Sequence, residues 1–167
     1  MRRILCVLAG LAIVSIAVEG RLAAQQSSSS LAVSATVSKN CTISTSPVNF
    51  GAYDPVAGNA TAPLDGTGSV IVTCTKGAPA KVGLGTGSNA QGTTRRMLGG
   101  TAAYLSYELY RDTSRTTVWG DTIDTALDLP AAPDRNPRTF TVYGRVAQGQ
   151  DAAVGTYTDT VVATVNF

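Results

Sequence analysis

Histidine is absent from the 167-residue chain. Because it is the commonest general base and the commonest transition-metal ligand, its absence excludes a Ser–His–Asp hydrolase and a copper–zinc centre. The acidic residues are dispersed, and no motif indicates a carboxylate-pair hydrolase. Asp121, Asp124 and Asp128 lie near one another but lack the spacing of a calcium-binding loop. The sequence therefore predicts a protein that is not an enzyme, with no catalytic residues, no metal site, no cofactor and no small-molecule substrate.

A hydrophobic run long enough to cross a bilayer is also missing. The longest run, residues 4–18, has about 15 residues, whereas a membrane-spanning helix needs about 20. It follows Arg2 and Arg3 and precedes small residues, a pattern typical of a secretory signal peptide. We assign residues 1–24 to this signal, and an uncleaved anchor is the alternative.

The chain beyond the predicted signal has no excess of either charge. Residues 1–24 contain three of the 13 basic and one of the 11 acidic residues, which leaves ten of each. A basic surface for nucleic acid is therefore not indicated. About 143 residues remain, enough for one domain with its own core.

Cysteine is scarce. Of three cysteines, Cys6 lies in the predicted signal, which leaves Cys41 and Cys74. An even number of cysteines in an exported chain favours a disulfide, which would add roughly 3–4 kcal/mol of stability through loop-closure entropy. Two free buried thiols are the alternative.

A sustained helical period is missing outside the signal, and a two-residue alternation takes its place. Strands are predicted at about residues 69–76, 103–110 and 138–146, among some seven in total. Residues 56–68 and 126–137 are predicted to be loops from their Gly, Pro, Asn and Asp content, and residues 116–120 a short edge strand. Turn signals between the strands predict an antiparallel β-sandwich.

Three smaller motifs receive structural interpretations. The glycines of residues 82–87 (VGLGTG) lack the spacing of a dinucleotide-binding loop, and we expect a strand end with close backbone packing. Arg95 and Arg96 are predicted to be a surface pair. We expect Trp119 and the tyrosines to pack in the core and across strands rather than to form a sugar-binding platform.

The last predicted strand, residues 157–167, is apolar on one face up to the final residue. An apolar strand at the edge of a sheet pairs with any strand that reaches it. If a neighbouring strand were missing, four or five inward side chains would also be missing, and the domain alone would be marginally stable.

An alternating apolar strip near the N-terminus could supply that strand. Its residues are Leu31, Val33, Ala35 and Val37, which follow a polar leader, residues 25–30. Donated to a second molecule, the strip would pair with the terminal strand and build an open fibre. It could equally be the first strand of its own sandwich, and periodicity alone does not choose between the two.

Six motifs span nearly all of the chain that follows the predicted signal. They are NCTIS (40–44), VNFGAYDP (48–55), GSVIVTCTKG (68–77), LSYELYRDTSRTTVWG (105–120), FTVYGRV (140–146) and GTYTDTVVATVNF (155–167). In this order they resemble the spore coat protein U domain family, which includes the pilins of archaic, Csu-type chaperone–usher pili.

The resemblance implies an all-β, incomplete immunoglobulin-like antiparallel β-sandwich that is completed by strand donation. It implies that the strip from Leu31 to Val37 is the donor strand and that Cys41 pairs with Cys74. The edge strand of the acceptor groove would contain Tyr157, Val161, Ala163, Val165 and Phe167. The predicted organisation is then a signal peptide (1–24), a flexible leader with the donor strand (25–38) and the sandwich domain (39–167).

The resemblance also implies a structural pilin subunit that polymerises by exchange of N-terminal donor strands and supports surface attachment and biofilm formation. Its expected partners are a periplasmic pilus chaperone, an outer-membrane usher and other copies of itself or related pilins. We expect export through the periplasm to a fimbria on the cell surface, and the length favours a shaft or minor subunit. The alternatives are a spore or cell-coat protein and a self-sufficient exported sandwich that binds glycans or a surface.

Overall fold

Antiparallel strands make up most of the regular structure. The computed structural model describes residues 24–100 and 102–167, so the predicted signal peptide, apart from Ala24, lies outside the described residues. Within the described ranges there are nine strands and one four-residue helix, α1 (Gly58–Thr61). The strands are β1 (Cys41–Asn49), β2 (Leu64–Cys74), β3 (Ala80–Leu84), β4 (Arg95–Gly99), β5 (Tyr104–Tyr110), β6 (Leu127–Leu129), β7 (Arg138–Val146), β8 (Tyr157–Thr158) and β9 (Ala163–Asn166). The prediction of an all-β protein is confirmed.

The strands form two sheets. One has six strands in the order β1-β2-β7-β5-β4-β8, and the other has three in the order β6-β3-β9. Every ladder is antiparallel. This arrangement agrees with the predicted immunoglobulin-like sandwich.

The core lies between the two sheets because the strands alternate in the expected way. In β2, Val70, Val72 and Cys74 are buried while their neighbours are half-exposed. The largest fully buried side chain is that of Trp119, whose indole N–H donates to the carbonyl of Val82 at 2.9 Å. The prediction that Trp119 belongs to the core is confirmed.

Cys41 and Cys74 form a disulfide. The two residues are directly opposite each other in the β1–β2 ladder, where β1 begins and β2 ends. The alternative of two free thiols is therefore wrong. The bond ties the first residue of the sandwich to its second strand.

Four predictions about strands and loops need correction. β4 was not expected, because its five residues do not alternate clearly in polarity. β6 lies inside a predicted loop, and α1 and the first residues of β2 lie inside another. Residues 116–120, predicted to be an edge strand, form only an isolated bridge between Val118 and Tyr110.

Residues 24–40 contain neither helix nor strand and are exposed. The interpretation of residues 31–37 as the first strand of their own sandwich is therefore not supported. By its contacts the chain divides into two units, residues 1–35 and 36–167. In the part of the chain that is described, no helix is long and apolar enough to span a bilayer.

Candidate strand-acceptor site

A cleft opens between the second half of β1 and residues 152–163. It consists of two adjoining cavities of about 300 and about 760 Å³. The cavities share five lining residues, which are Pro47, Val48, Phe50, Met97 and Tyr157. We call this feature the terminal cleft.

The floor of the terminal cleft is the hydrophobic core itself. Val70, Leu84, Tyr107, Leu109 and Val142 line the smaller cavity, and all five are buried. Core side chains rarely line an open cleft, because protein interiors are close-packed. Apolar side chains placed in this cleft would therefore extend the core.

Strand edges border the terminal cleft. β1 is the outermost strand of the six-stranded sheet on one side, and β8 is outermost on the other. β9 is an outer strand of the three-stranded sheet. Across the described ranges, no ladder covers the second edge of these three strands, so their backbone groups remain available to an added strand.

The predicted terminal strand is in fact two short strands. β8 pairs with β4 in one sheet, and β9 pairs with β3 in the other. Between them the chain bonds to the segment after β3: the amide of Gly85 donates to Val162 O at 2.9 Å, and that of Ser88 to Thr160 O at 3.0 Å. The single continuous strand was therefore a wrong prediction, because the chain changes sheets at residues 159–162.

Asp159 anchors this change of sheets. One of its carboxylate oxygens accepts from the Tyr107 hydroxyl at 2.7 Å. The other accepts from the backbone amide of Asn89 at 3.1 Å and from its side-chain amide at 3.0 Å. Burial, and after it the hydrogen bond to Asp159, raises the pKa of Tyr107, which stays a neutral donor. The Asp159 position was not a predicted site residue, although it interrupts the apolar face of the terminal sequence.

The predicted edge residues follow the expected alternation in part. Tyr157, Val161, Ala163 and Val165 are half-buried and pack against the core, whereas Phe167 is 51% exposed. Tyr157, Val161 and Ala163 line the terminal cleft. Val165 does not line the cleft, so the structure brings together three of the five.

The predicted donor residues lie on exposed chain. The exposed fractions of Leu31, Val33 and Val37 are 87%, 87% and 82%, and Ala35 is exposed as well. Isolated exposed apolar residues are common. A run of alternating apolar residues exposed to water is unfavourable and uncommon.

Arg95 corrects the prediction of a surface arginine pair. Its side chain is only 3% exposed and makes an ion pair with Glu108. It also donates to the carbonyls of Leu84, Gly85 and Trp119 at 2.7, 2.9 and 2.9 Å. The cluster has a structural role, because each of the three guanidinium nitrogens donates to a fixed acceptor within the fold.

The glycine prediction is confirmed. A Cβ at Gly83 would lie 2.9 Å from the Cα of Asp121. At Gly87, where φ is +92°, it would lie 2.0 Å from a carboxylate oxygen of Asp159.

Among the described residues, no group of three or more His, Cys, Asp or Glu side chains is placed to hold a metal ion. Asp128 pairs with Lys81 at 2.8 Å.

Comparison with known proteins identifies the family of the chain. The family model of the Spore Coat Protein U domain matches residues 27–164. The chain belongs to this family. The chain is also 43% identical to Protein U of Myxococcus xanthus over 129 residues, which cover 72% of this chain and 71% of that protein.

A solved structure with the same fold is a complex of a chaperone and a pilus subunit. It is the CsuC–CsuE chaperone–tip adhesion subunit pre-assembly complex from the archaic chaperone–usher Csu pili of Acinetobacter baumannii. The match has a TM-score of 0.55 and 25% identity and covers 79% of this chain. It covers 40% of the matched chain, so the present protein spans well under half of that relative's length.

Proposed function

We propose that the protein is a structural subunit of a secreted chaperone–usher fimbria and polymerises by exchange of N-terminal donor strands. The observation that carries the proposal is the terminal cleft, where buried core side chains line an opening between uncovered strand edges. A single added strand would satisfy both needs at once, because it supplies apolar side chains and backbone hydrogen bonds together.

The donor in this proposal is the strip Leu31, Val33, Ala35 and Val37 of a second copy. Seven residues of extended strand span roughly 23 Å, with every second side chain on one face. The strip is apolar on that face and has alanine, serine and threonine on the other, as an edge strand of a half-solvated sheet allows. A flexible serine-rich leader would let it search for the cleft.

Assembly by this route produces a fibre and needs help before it. Each subunit offers one terminal cleft and one N-terminal arm, which is the leader with the donor strand (residues 25–38). The contact is therefore head-to-tail and does not close. An uncovered cleft would promote aggregation. A periplasmic chaperone would cover the cleft, and an outer-membrane usher would replace the chaperone with the next subunit. The chaperone–subunit relative supports these partners. We infer export through the periplasm, display on the cell surface and a role in attachment and biofilm formation.

The match to the Spore Coat Protein U family model favours a second candidate, a coat layer on a resting cell. The linear chains built by strand exchange would then pack side by side into a layer rather than extend as free fibres. Labelling the protein with antibodies and imaging cells by electron microscopy separates the two: thin surface filaments support the pilin, and a continuous envelope layer supports the coat protein.

The donor strand is tested by removing its apolar face. In the variant Leu31→Ser, Val33→Ser, Val37→Ser we expect polymer formation to be lost, because each buried aliphatic side chain contributes roughly 1.5–3 kcal/mol. Size-exclusion chromatography and electron microscopy of chain refolded in oxidising buffer provide the measurement. A matched variant on the opposite face, Ala32→Ser, Ser34→Thr, Thr36→Ser, should polymerise normally. Normal polymers from the first variant would refute strand exchange through this segment.

A further inference from the structure

The exit of the N-terminal arm is fixed by Thr75. The backbone amide of Thr75 donates to Asn40 O at 2.8 Å, which extends the β1–β2 ladder one step beyond the disulfide. The Thr75 hydroxyl accepts from the amide of Asn40 at 3.1 Å and lies 3.3 Å from the carbonyl oxygens of Ser38 and Asn40. One threonine side chain therefore bonds to the backbone on both sides of Lys39.

These contacts give residues 38–40 a direction. They continue the line of β1 past Cys41 and along the end of β2. The part of β1 that lines the terminal cleft begins at Thr45, which pairs with Val70. Asn40 and Thr45 are five positions apart along extended chain, or about 17 Å. The chain thus leaves the sandwich at the end of β1 that lies away from the cleft.

Without this constraint the arm could block its own molecule. Three residues, 38–40, separate Val37 from Cys41, and three-residue connections are common in β-hairpins. A hairpin with β1 would place Val33 opposite Thr45 and Leu31 opposite Pro47, two residues that line the cleft. Because the arm and the cleft belong to one chain, their effective concentration would be in the millimolar range. A subunit capped by its own arm could no longer accept a neighbour.

We propose that Thr75 is a positioning residue that holds residues 38–40 in line with β1 and so favours exchange between molecules over capping within one. The hairpin requires a bend at residues 38–40, and that bend breaks the contact between the Thr75 hydroxyl and Ser38 O. The idea rests on the proposed function, because it assumes that the arm is the donor strand. Thr75 needs no contact with the donated side chains and acts only through the backbone of residues 38–40.

Thr75→Val tests the proposal, since valine keeps the shape and the backbone bonds but removes the hydroxyl. The measured quantity is the fraction of refolded monomer that does not bind a labelled peptide, SLAVSATVS, which has the sequence of residues 30–38. At dilute, slowly polymerising concentrations we expect this fraction to rise roughly five-fold, as one or two exposed hydrogen bonds allow. Thr75→Ser, which keeps the hydroxyl, should behave as the wild type. Thr73→Val, a matched change two residues earlier in β2, should also have no effect.

The outcomes separate positioning from damage to the cleft. A Thr75→Val chain that binds the peptide as the wild type does would overturn the proposal. The proposal would also be overturned if peptide binding stayed reduced when Thr75→Val is combined with Leu31→Ser, Val33→Ser and Val37→Ser. An arm with these serines cannot cap the cleft, so it should not reduce binding. If the peptide fails to bind even the chain with the serine-substituted arm and native Thr75, strand donation itself is wrong, and the role of Thr75 falls with it.

Discussion

Arg95 joins the two sheets through its side chain. It belongs to β4 in the six-stranded sheet, and two of the carbonyls it bonds belong to Leu84 and Gly85, at the end of β3 in the other sheet. Glu108 on the neighbouring β5 balances the charge and also accepts from the amide of Leu109 at 2.9 Å. A buried cation is tolerated because its charge is paired and each of its three nitrogens has an acceptor.

We therefore expect Arg95→Met to lower the free energy of unfolding by about 3–5 kcal/mol, since it leaves the Glu108 carboxylate without its counter-ion and removes a donor from three carbonyls. Adding Glu108→Gln should recover part of this loss. The control is Arg96→Met, which removes a guanidinium that lies 3.9 Å above the Tyr104 ring and should cost no more than about 1 kcal/mol. Urea titrations of the disulfide-bonded monomer, followed by Trp119 fluorescence, measure the difference. Equal midpoints for the two single variants would show that Arg95 does not tie the sheets together.

Arg95 was wrongly predicted to be a surface residue, because its burial depends on groups that are distant in the sequence. Its acceptors are 10, 11 and 24 positions away, and its ionic partner is 13 positions away. No local pattern records that three carbonyls will converge on one guanidinium. Trp119 could be placed in the core from its type alone, because large aromatic side chains are usually buried.

Among the elements, the division between β8 and β9 matters most for the site. A continuous strand would stay in one sheet, whereas the break at residues 159–162 lets the terminal sequence border both sheets along the cleft. The break depends on Asp159, which is held by Tyr107 and Asn89. Gly87 makes room for this carboxylate, with φ at +92°.

Gly87→Ala should therefore destabilise the fold more than a change in backbone conformation alone would. Gly92→Ala is the matched control, because its φ is also positive, at +60°, but an added Cβ meets nothing within 4 Å. We expect about 1 kcal/mol from backbone strain at Gly92 and at least 1–3 kcal/mol more at Gly87 from the clash. Thermal unfolding of both variants provides the comparison. A smaller loss at Gly87 than at Gly92 would mean that Asp159 moves aside freely and does not anchor the break.

Elements could be predicted where alternation was long. β2, β5 and β7 have seven or more residues with clear two-residue periods, and they were found. β6 and β8 have three and two residues, and only their neighbours in the sheets define them. The terminal sequence alternates in polarity except at Asp159 and Val162. Its change of sheets could therefore not be predicted without knowing which segment bonds to it.

At the scale of the whole molecule, the proposed subunit has two different ends. The cleft accepts one strand and the arm donates one, so each added copy restores both a free cleft and a free arm. Growth then has no natural limit. A symmetric dimer would use one surface twice and would stop at two.

This asymmetry predicts how the peptide SLAVSATVS should act during assembly. A peptide in the cleft of one subunit blocks that cleft but leaves the arm of the same subunit free to donate. Each fibre then contains one peptide, at its blocked end, so one peptide per ten chains should limit the mean length to about ten subunits. Electron microscopy and light scattering over a series of ratios measure this dependence, and the peptide with serine at the positions of Leu31, Val33 and Val37 should leave the length unchanged. The contrary result would be that the peptide releases monomers in proportion to its amount and produces no shortened fibres. The contact between subunits would then be closed and symmetric. Only in an open head-to-tail chain does one blocked cleft limit the length of the whole fibre.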